Sequence, residues 1–217
     1  MATMLRDNDS TEKHLNTVRR HTRLSKHISG TEEFVTNIQA PYDELKAKQA
    51  ATKTRIEARE DAYDDLIFQD GLLDNAVRSS FEKCKQYDRD NVGQSVLKQI
   101  FPDEKYGDIV RAPIASEPDE VEKIKIRIEE LGESHTLYPL AATLQKRIDT
   151  SRQAISMLND AIRAQKMAEA DEEIVQMKLR QQYENNYLDL RKKLGRDTAE
   201  MLFPKTSSRK VTIETEE

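Results

Sequence analysis

Tryptophan is absent from this chain, aromatic residues make up only 6% of it, and glycine and proline number six each. A β-rich fold needs turn residues and strand aromatics in greater supply, so these shortages exclude one. The single cysteine, Cys84, rules out an intramolecular disulfide framework and any cysteine-rich metal centre, and it fits a reducing compartment. No apolar run approaches the roughly 18 residues that would span a bilayer. The N-terminal MATMLRDNDSTEKH likewise lacks the apolar centre of a secretory signal. The expectation is a soluble, cytoplasmic protein with no membrane partner.

Chemical signatures are missing as well. The chain has no glycine-rich phosphate loop, no G-x-S-x-G, no H-E-x-x-H and no usable Cys–His spacing. Helical bundles can hold two metals through Glu-x-x-His pairs, but none of the four histidines stands three residues after a glutamate. His14 and His21, seven residues apart, would lie about 10 Å from each other along a helix, too far to share one ion. No catalytic, cofactor-binding or metal-ligating residue is therefore assigned, and the sequence leans away from an enzyme without excluding one.

What the 217 residues do contain is charge: 35% of them are charged and only 36% hydrophobic, against about 25% and 45–50% in ordinary globular chains. A thin apolar stripe with much solvated surface suits an elongated helical protein. The formal net charge of −5 gives no electrostatic footprint for DNA or RNA. Between Pro139 and Pro204 the only helix breaker is Gly195. This stretch organises the rest of the chain.

The breakers recur at one spacing. Gly30 and Gly132, Gly93 and Gly195, and Pro102 and Pro204 are each 102 residues apart. In that register Phe81–Pro102 lies over Tyr183–Pro204, with identities at Glu82/Glu184, Arg89/Arg191, Gly93/Gly195, Phe101/Phe203 and Pro102/Pro204. The reading is a tandem duplication of two similar halves.

Taken in order, residues 1–9 read as a disordered lead-in. Residues 10–102 form the first repeat, 103–118 a linker, 119–204 the second repeat, and 205–217 a polar tail that is disordered or briefly extended. In the first repeat Ser10 or Thr11 caps a short helix that ends at Gly30. Thr31–Ala40 is a connector, and Pro41 opens a long helix. Gly71 marks either a turn or a weak spot in it, and the counterpart around Ala168–Asp171 has no turn chemistry, which favours a continuous helix in both halves. Ile109 and Val211 fall opposite each other at the same offset and could pair as a short ribbon.

The second long helix carries Ala141, Leu144, Ile148, Ser151, Ile155, Leu158, Ile162 and Gln165 in strict alternation of three and four, a coiled-coil seam that demands a facing helix. The fold expected is an all-α, elongated, antiparallel helical bundle or coiled coil built from two tandem halves, each a short helix plus a long one. The function expected is non-enzymatic: a structural or scaffolding protein acting by self-association or by binding another protein. Its candidate partner-binding residues are Phe101, Phe203, Leu144, Ile148, Ile155, Leu158 and Ile162, the two phenylalanines because aromatic anchors are common hot spots. A second class stays open, a helical bundle that holds a small ligand or metal in its core, with or without enzymatic activity. The first helix is basic, with Lys13, Arg19, Arg20, Arg23 and Lys26. It reads as a solvated face, a partner for the acidic run Glu57, Glu60, Asp61, Asp64 and Asp65, or a contact with an acidic surface or anionic polymer.

Overall fold

Residues 2–203 are described by a computed structural model, and among them there are helices and turns but no strand. Six helices follow one another: α1 (Thr11–Ser25), α2 (Glu32–Asp90), α3 (Val96–Ile100), α4 (Glu117–Glu129), α5 (Pro139–Leu194) and α6 (Arg196–Leu202). Both α2 and α5 are continuous, the first running through Gly71 without a break. Two compact units divide the chain. One takes the chain up to Arg55 and again from Gln165, and the other takes Ile56–Ala164. Each unit thus draws on both halves of the sequence, because each long helix contributes one end to either unit. Val211 and Pro204 lie outside the described residues, and Ile109 sits in a turn.

In the first unit, the start of α2 and the end of α5 pack antiparallel. Glu33 pairs with Lys193 at 2.7 Å, Glu44 with Lys178 at 3.6 Å and Lys48 with Asp171 at 2.6 Å. Such exposed pairs fix register more than they stabilise. The core beneath them is Phe34, Ile38 and Leu45 from α2 against Val175, Leu179, Tyr183 and Leu190 from α5, closed by Leu15 and Val18 of α1 and by Leu202 and Phe203. α1 starts where the Ser10 hydroxyl accepts the Lys13 N–H at 3.2 Å, which satisfies one of the open donors of a first turn. It stops before Gly30, whose φ of 84° favours glycine.

Two local readings of the sequence differ from the structure here. Residues 32–40, expected as a connector ahead of Pro41, are the first turns of α2, and Pro41 lies inside the helix. An interior proline costs a hydrogen bond, on the order of 3 kcal/mol in an exposed helix. Burial of Phe34 and Ile38 outweighs it, and the Thr31 hydroxyl, 2.5 and 2.7 Å from the carbonyl oxygens of Ser25 and Ile28 and able to donate to either, fixes the entry turn. Residues 2–9 are also placed: the Thr3 N–H donates to the Phe203 carbonyl at 3.1 Å, and Met4 and Leu5 pack on the core.

In the second unit, Leu73, Val77, Phe81 and Cys84 from the end of α2 face Leu140, Ala141, Leu144 and Ile148 from the start of α5. Val121, Ile124 and Ile128 of α4 and Ile100 and Phe101 complete this core. α3 forms because the Asp88 carboxylate accepts the N–H groups of Val96 and Leu97 at 2.8 and 3.0 Å, a cap supplied from the preceding helix. Its end is tied to α4 by Arg127 Nη1, which donates to the Ile100 carbonyl at 3.1 Å. Burial pushes the Cys84 thiol up to about 12, so it is a packing residue rather than a nucleophile.

Phe203 is fully buried, with its ring 4.7 Å from that of Tyr183. Truncation of it should therefore be costly. We expect Phe203→Ala to lose about 3–5 kcal/mol of unfolding free energy in urea titrations, and Phe68→Ala, at a position 63% exposed, to lose less than about 0.5 kcal/mol.

Candidate functional site

Each unit encloses a titratable side chain. In the second unit Glu117, at the start of α4 and only 1% exposed, faces the carboxyl groups of Asp70 and Asp74 on α2. As bare carboxylates, Glu117 Oε1, Asp70 Oδ1 and Asp74 Oδ1 have no donor. A proton on Glu117 supplies one. Burial, and then the two aspartates, pushes the Glu117 carboxyl up to about 9. The helix dipole at the α4 N-terminus favours the charged form by about 1 kcal/mol; desolvation outweighs it. Arg78 holds the remaining charge through Asp74 at 2.9 Å. Among the described residues no group of three or more His, Cys, Asp or Glu is placed to hold a metal ion.

In the first unit the enclosed group is His21. Its Nδ1 lies 3.2 Å from the Leu202 carbonyl, and its Nε2 lies 3.5 Å from Asn186 Nδ2, which also donates to the Phe34 carbonyl at 2.8 Å. A neutral ring with its proton on Nδ1 satisfies both contacts: it donates to Leu202 and accepts from Asn186. Burial pushes the imidazole down to about 4, against the opposing pull of the Leu202 carbonyl. His14 is also pushed down, first by burial. Nearby, the Thr11 hydroxyl donates to Glu172 and accepts from Gln176. In both clusters a buried group ties the end of a short helix to a long one.

The surface is different. The expected seam on α5 is buried at Ala141, Leu144, Ile148 and Ser151 and only half-buried at Ile155, Leu158 and Ile162. The change has a simple cause. α4 begins at Glu117, against Asp70 and Asp74, and its Asp119 and Glu122 hold Arg152 at 2.7 and 2.6 Å. In the stretch of this unit beyond those contacts, α2 and α5 have only each other. There Arg59, Glu60, Tyr63, Asp64, Leu158 and Ile162 line an open groove of about 620 Å³. Tyr63 is 53% exposed, Ile67 43% and Phe68 63%. Single exposed apolar side chains are ordinary, but several within two helical turns make a patch of the kind that marks interaction sites.

The sequence-predicted partner-binding residues therefore separate. Phe101, Phe203, Leu144 and Ile148 are enclosed in the two cores, because each phenylalanine follows a short helix that turns it inward over the end of a long one. Leu158 and Ile162 line the groove, with Ile155 half-buried one turn away. Tyr63, Ile67 and Phe68 are not among the residues that the sequence singles out. The available signal was their crowding: 66–68 are three consecutive apolar residues, and a helix cannot bury three in a row on one face.

Comparisons with protein-family models, with curated proteins and with solved structures find no match for this chain. No described helix is long and apolar enough to cross a membrane.

The two enclosed groups give opposite pH dependences. For Glu117 the folded value of about 9 exceeds the ordinary carboxyl value of about 4.3, so the folded chain holds a proton that the unfolded chain has released. That stability is complete below about pH 4 and is lost as pH rises toward 9, on the order of a few kcal/mol. We expect Glu117→Gln to flatten this decline and to raise the thermal midpoint at pH 8, as followed by circular dichroism. For His21 the folded value of about 4 lies below the ordinary value of about 6.5, so stability falls as pH drops from about 6.5 to 4, by at most about 3 kcal/mol. His21→Asn is expected to be less stable at neutral pH yet flatter across that window, measured by urea titration at each pH.

Proposed function

We propose that this is a non-enzymatic structural or scaffolding protein whose long helices associate with further copies of the chain or hold a partner protein. The observation that carries the reading is the uncovered stretch of the second unit, where Tyr63, Ile67 and Phe68 stand exposed on α2 beside half-buried Leu158 and Ile162 on α5. A helix pair with no third element leaves apolar surface in water, and association is the means of covering it. The buried His21 and Asn186, by contrast, are spent on each other and on backbone carbonyls.

The same reading includes a tandem duplication of one helical half. Supporting it, the described glycines with positive φ are Gly30, Gly93, Gly132 and Gly195, the four that pair at the 102-residue offset. Buried residues follow that offset: Leu73/Val175, Val77/Leu179, Phe81/Tyr183, Ile100/Leu202 and Phe101/Phe203. An offset of 103 relates the short helices, with His14/Glu117, Val18/Val121, His21/Ile124 and Ser25/Ile128. On this view the buried histidine and the buried glutamate are two solutions to one position.

Size-exclusion chromatography coupled to light scattering tests the association reading. The expected result is a particle of more than one copy, or a single copy that binds a stoichiometric partner protein. A single copy that retains no partner under native conditions would refute it.

A further inference from the structure

The patch on the second unit is apolar at its centre and acidic around it. Asp61, Asp64 and Asp65 are exposed beside Tyr63 and Phe68, and none of the three makes an ion pair among the described residues. Glu60 lies 3.8 Å from Arg59. An occupant of this surface must therefore bring apolar or stacking contact and positive charge together. Arginine is the side chain that does both, because its planar guanidinium stacks on aromatic rings and forks onto carboxylates.

The chain carries such a surface itself. The buried residues of α1 are Thr11, His14, Leu15, Val18, His21 and Ser25, which leaves Arg19, Arg20, Arg23 and Lys26 exposed on the other side. These four cations likewise have no ion-pair partner among the described residues. Arg19, Arg23 and Lys26 recur at four and three residues and so share one face. Arg19 and Arg23 are separated by one helical turn, about 6 Å, and so are Asp61 and Asp65. Four unneutralised cations on one helix are notable in a chain whose formal net charge is −5.

We propose that the occupant of the Tyr63–Phe68 surface is the α1 helix of a second copy of this chain. Arg19, Arg23 and Lys26 of one copy lie on Asp61, Asp64 and Asp65 of the next, with guanidinium groups against the rings of Tyr63 and Phe68. The two surfaces differ, and each copy offers one surface of each kind. This rests on the self-association reading above and gives it a surface and a chemistry. It also makes association dependent on salt, since exposed ion pairs are screened beyond a Debye length.

Charge reversal tests it on the full chain. One variant carries Arg19→Glu, Arg23→Glu and Lys26→Glu, and the other carries Asp61→Lys, Asp64→Lys and Asp65→Lys. All six positions are exposed, and circular dichroism confirms that both variants fold. Light scattering and sedimentation velocity are run in about 0.1 M and about 1 M salt. The expected results are that wild-type association weakens at least tenfold in high salt, that each variant alone is a single copy in low salt, and that mixing the two restores association. Restoration on mixing is a result that loss of folding cannot produce. A wild-type chain that is a single copy in low salt overturns the proposal. If the wild type associates but the reversals leave it unchanged, or if the mixture stays dissociated, this contact is wrong while self-association stands. If the single-copy wild type also holds no partner protein, the broader reading falls with it.

Discussion

A long helix with a narrow apolar stripe is stable only where a second surface covers that stripe, since helix propensity alone contributes little in water. Everything local in this protein follows from where cover is available. In each unit, α2 and α5 cover one another, and a third wall comes from short elements: α1 with α6 in one, α3 with α4 in the other. The short helices α3 and α6, of five and seven residues, could not persist alone. They exist because the phenylalanine after each is drawn into the core, and the chain must turn sharply to deliver it. Gly93 and Gly195, with φ of 96° and 84°, supply those turns. Replacing either with a residue bearing a Cβ would strain the backbone even though open space surrounds it.

Cover has an electrostatic consequence at the helix ends. Where a short helix closes over a long one, polar groups are enclosed and must find partners. In the second unit Arg127 reaches the Ile100 carbonyl, while in the first His21 reaches the Leu202 carbonyl. The two solutions behave differently. An arginine remains charged at any relevant pH and must keep its head near water. A neutral imidazole can be buried completely, as His21 is, but its neutrality is then a condition of folding. Glu117 obeys the same rule with the opposite sign. Burial of Glu117 beside the partly exposed Asp70 and Asp74 favours its protonated form, so the two units tolerate acid and base differently.

The all-helical class was legible because its signals are cumulative: long runs of helix formers, few breakers and no β chemistry. The continuity of α5 followed from the lack of any turn residue near Ala168–Asp171, and that of α2 was argued by analogy with it. Local ends were harder. Pro41 looked like a helix start because proline suits a first turn, yet the burial of Phe34 and Ile38, which no periodicity rule weighs, extends α2 backward to Glu32. The candidate surface was half legible. Leu158 and Ile162 were picked out by spacing, but spacing cannot report that the seam loses its third wall past Ser151, because this depends on where α4 begins. Phe101 and Phe203 were singled out for their chemistry. Their direction was set by turns that only the folded chain reveals.

The exposed stretch matters because its size places it near a threshold. Tyr63, Ile67 and Phe68, each about half exposed, present roughly 300 Å² of side-chain surface to water. At about 25 cal/mol per Å², covering this surface gains on the order of 7 kcal/mol. The loss of translational and rotational freedom on association costs about 4–15 kcal/mol. Apolar contact alone therefore does not decide whether a partner stays, and it cannot choose between partners, since any hydrophobic surface would serve. The unpaired carboxylates of Asp61, Asp64 and Asp65 can do both. They would repel an acidic occupant by like charge, while to a basic one they would offer charge-assisted hydrogen bonds. A chain with so many charged residues could have neutralised these three aspartates locally, as it does at Asp74 through Arg78 and at Asp119 through Arg152. Left unpaired among the described residues beside exposed aromatic rings, they would favour, on the proposed reading, an occupant that brings positive charge.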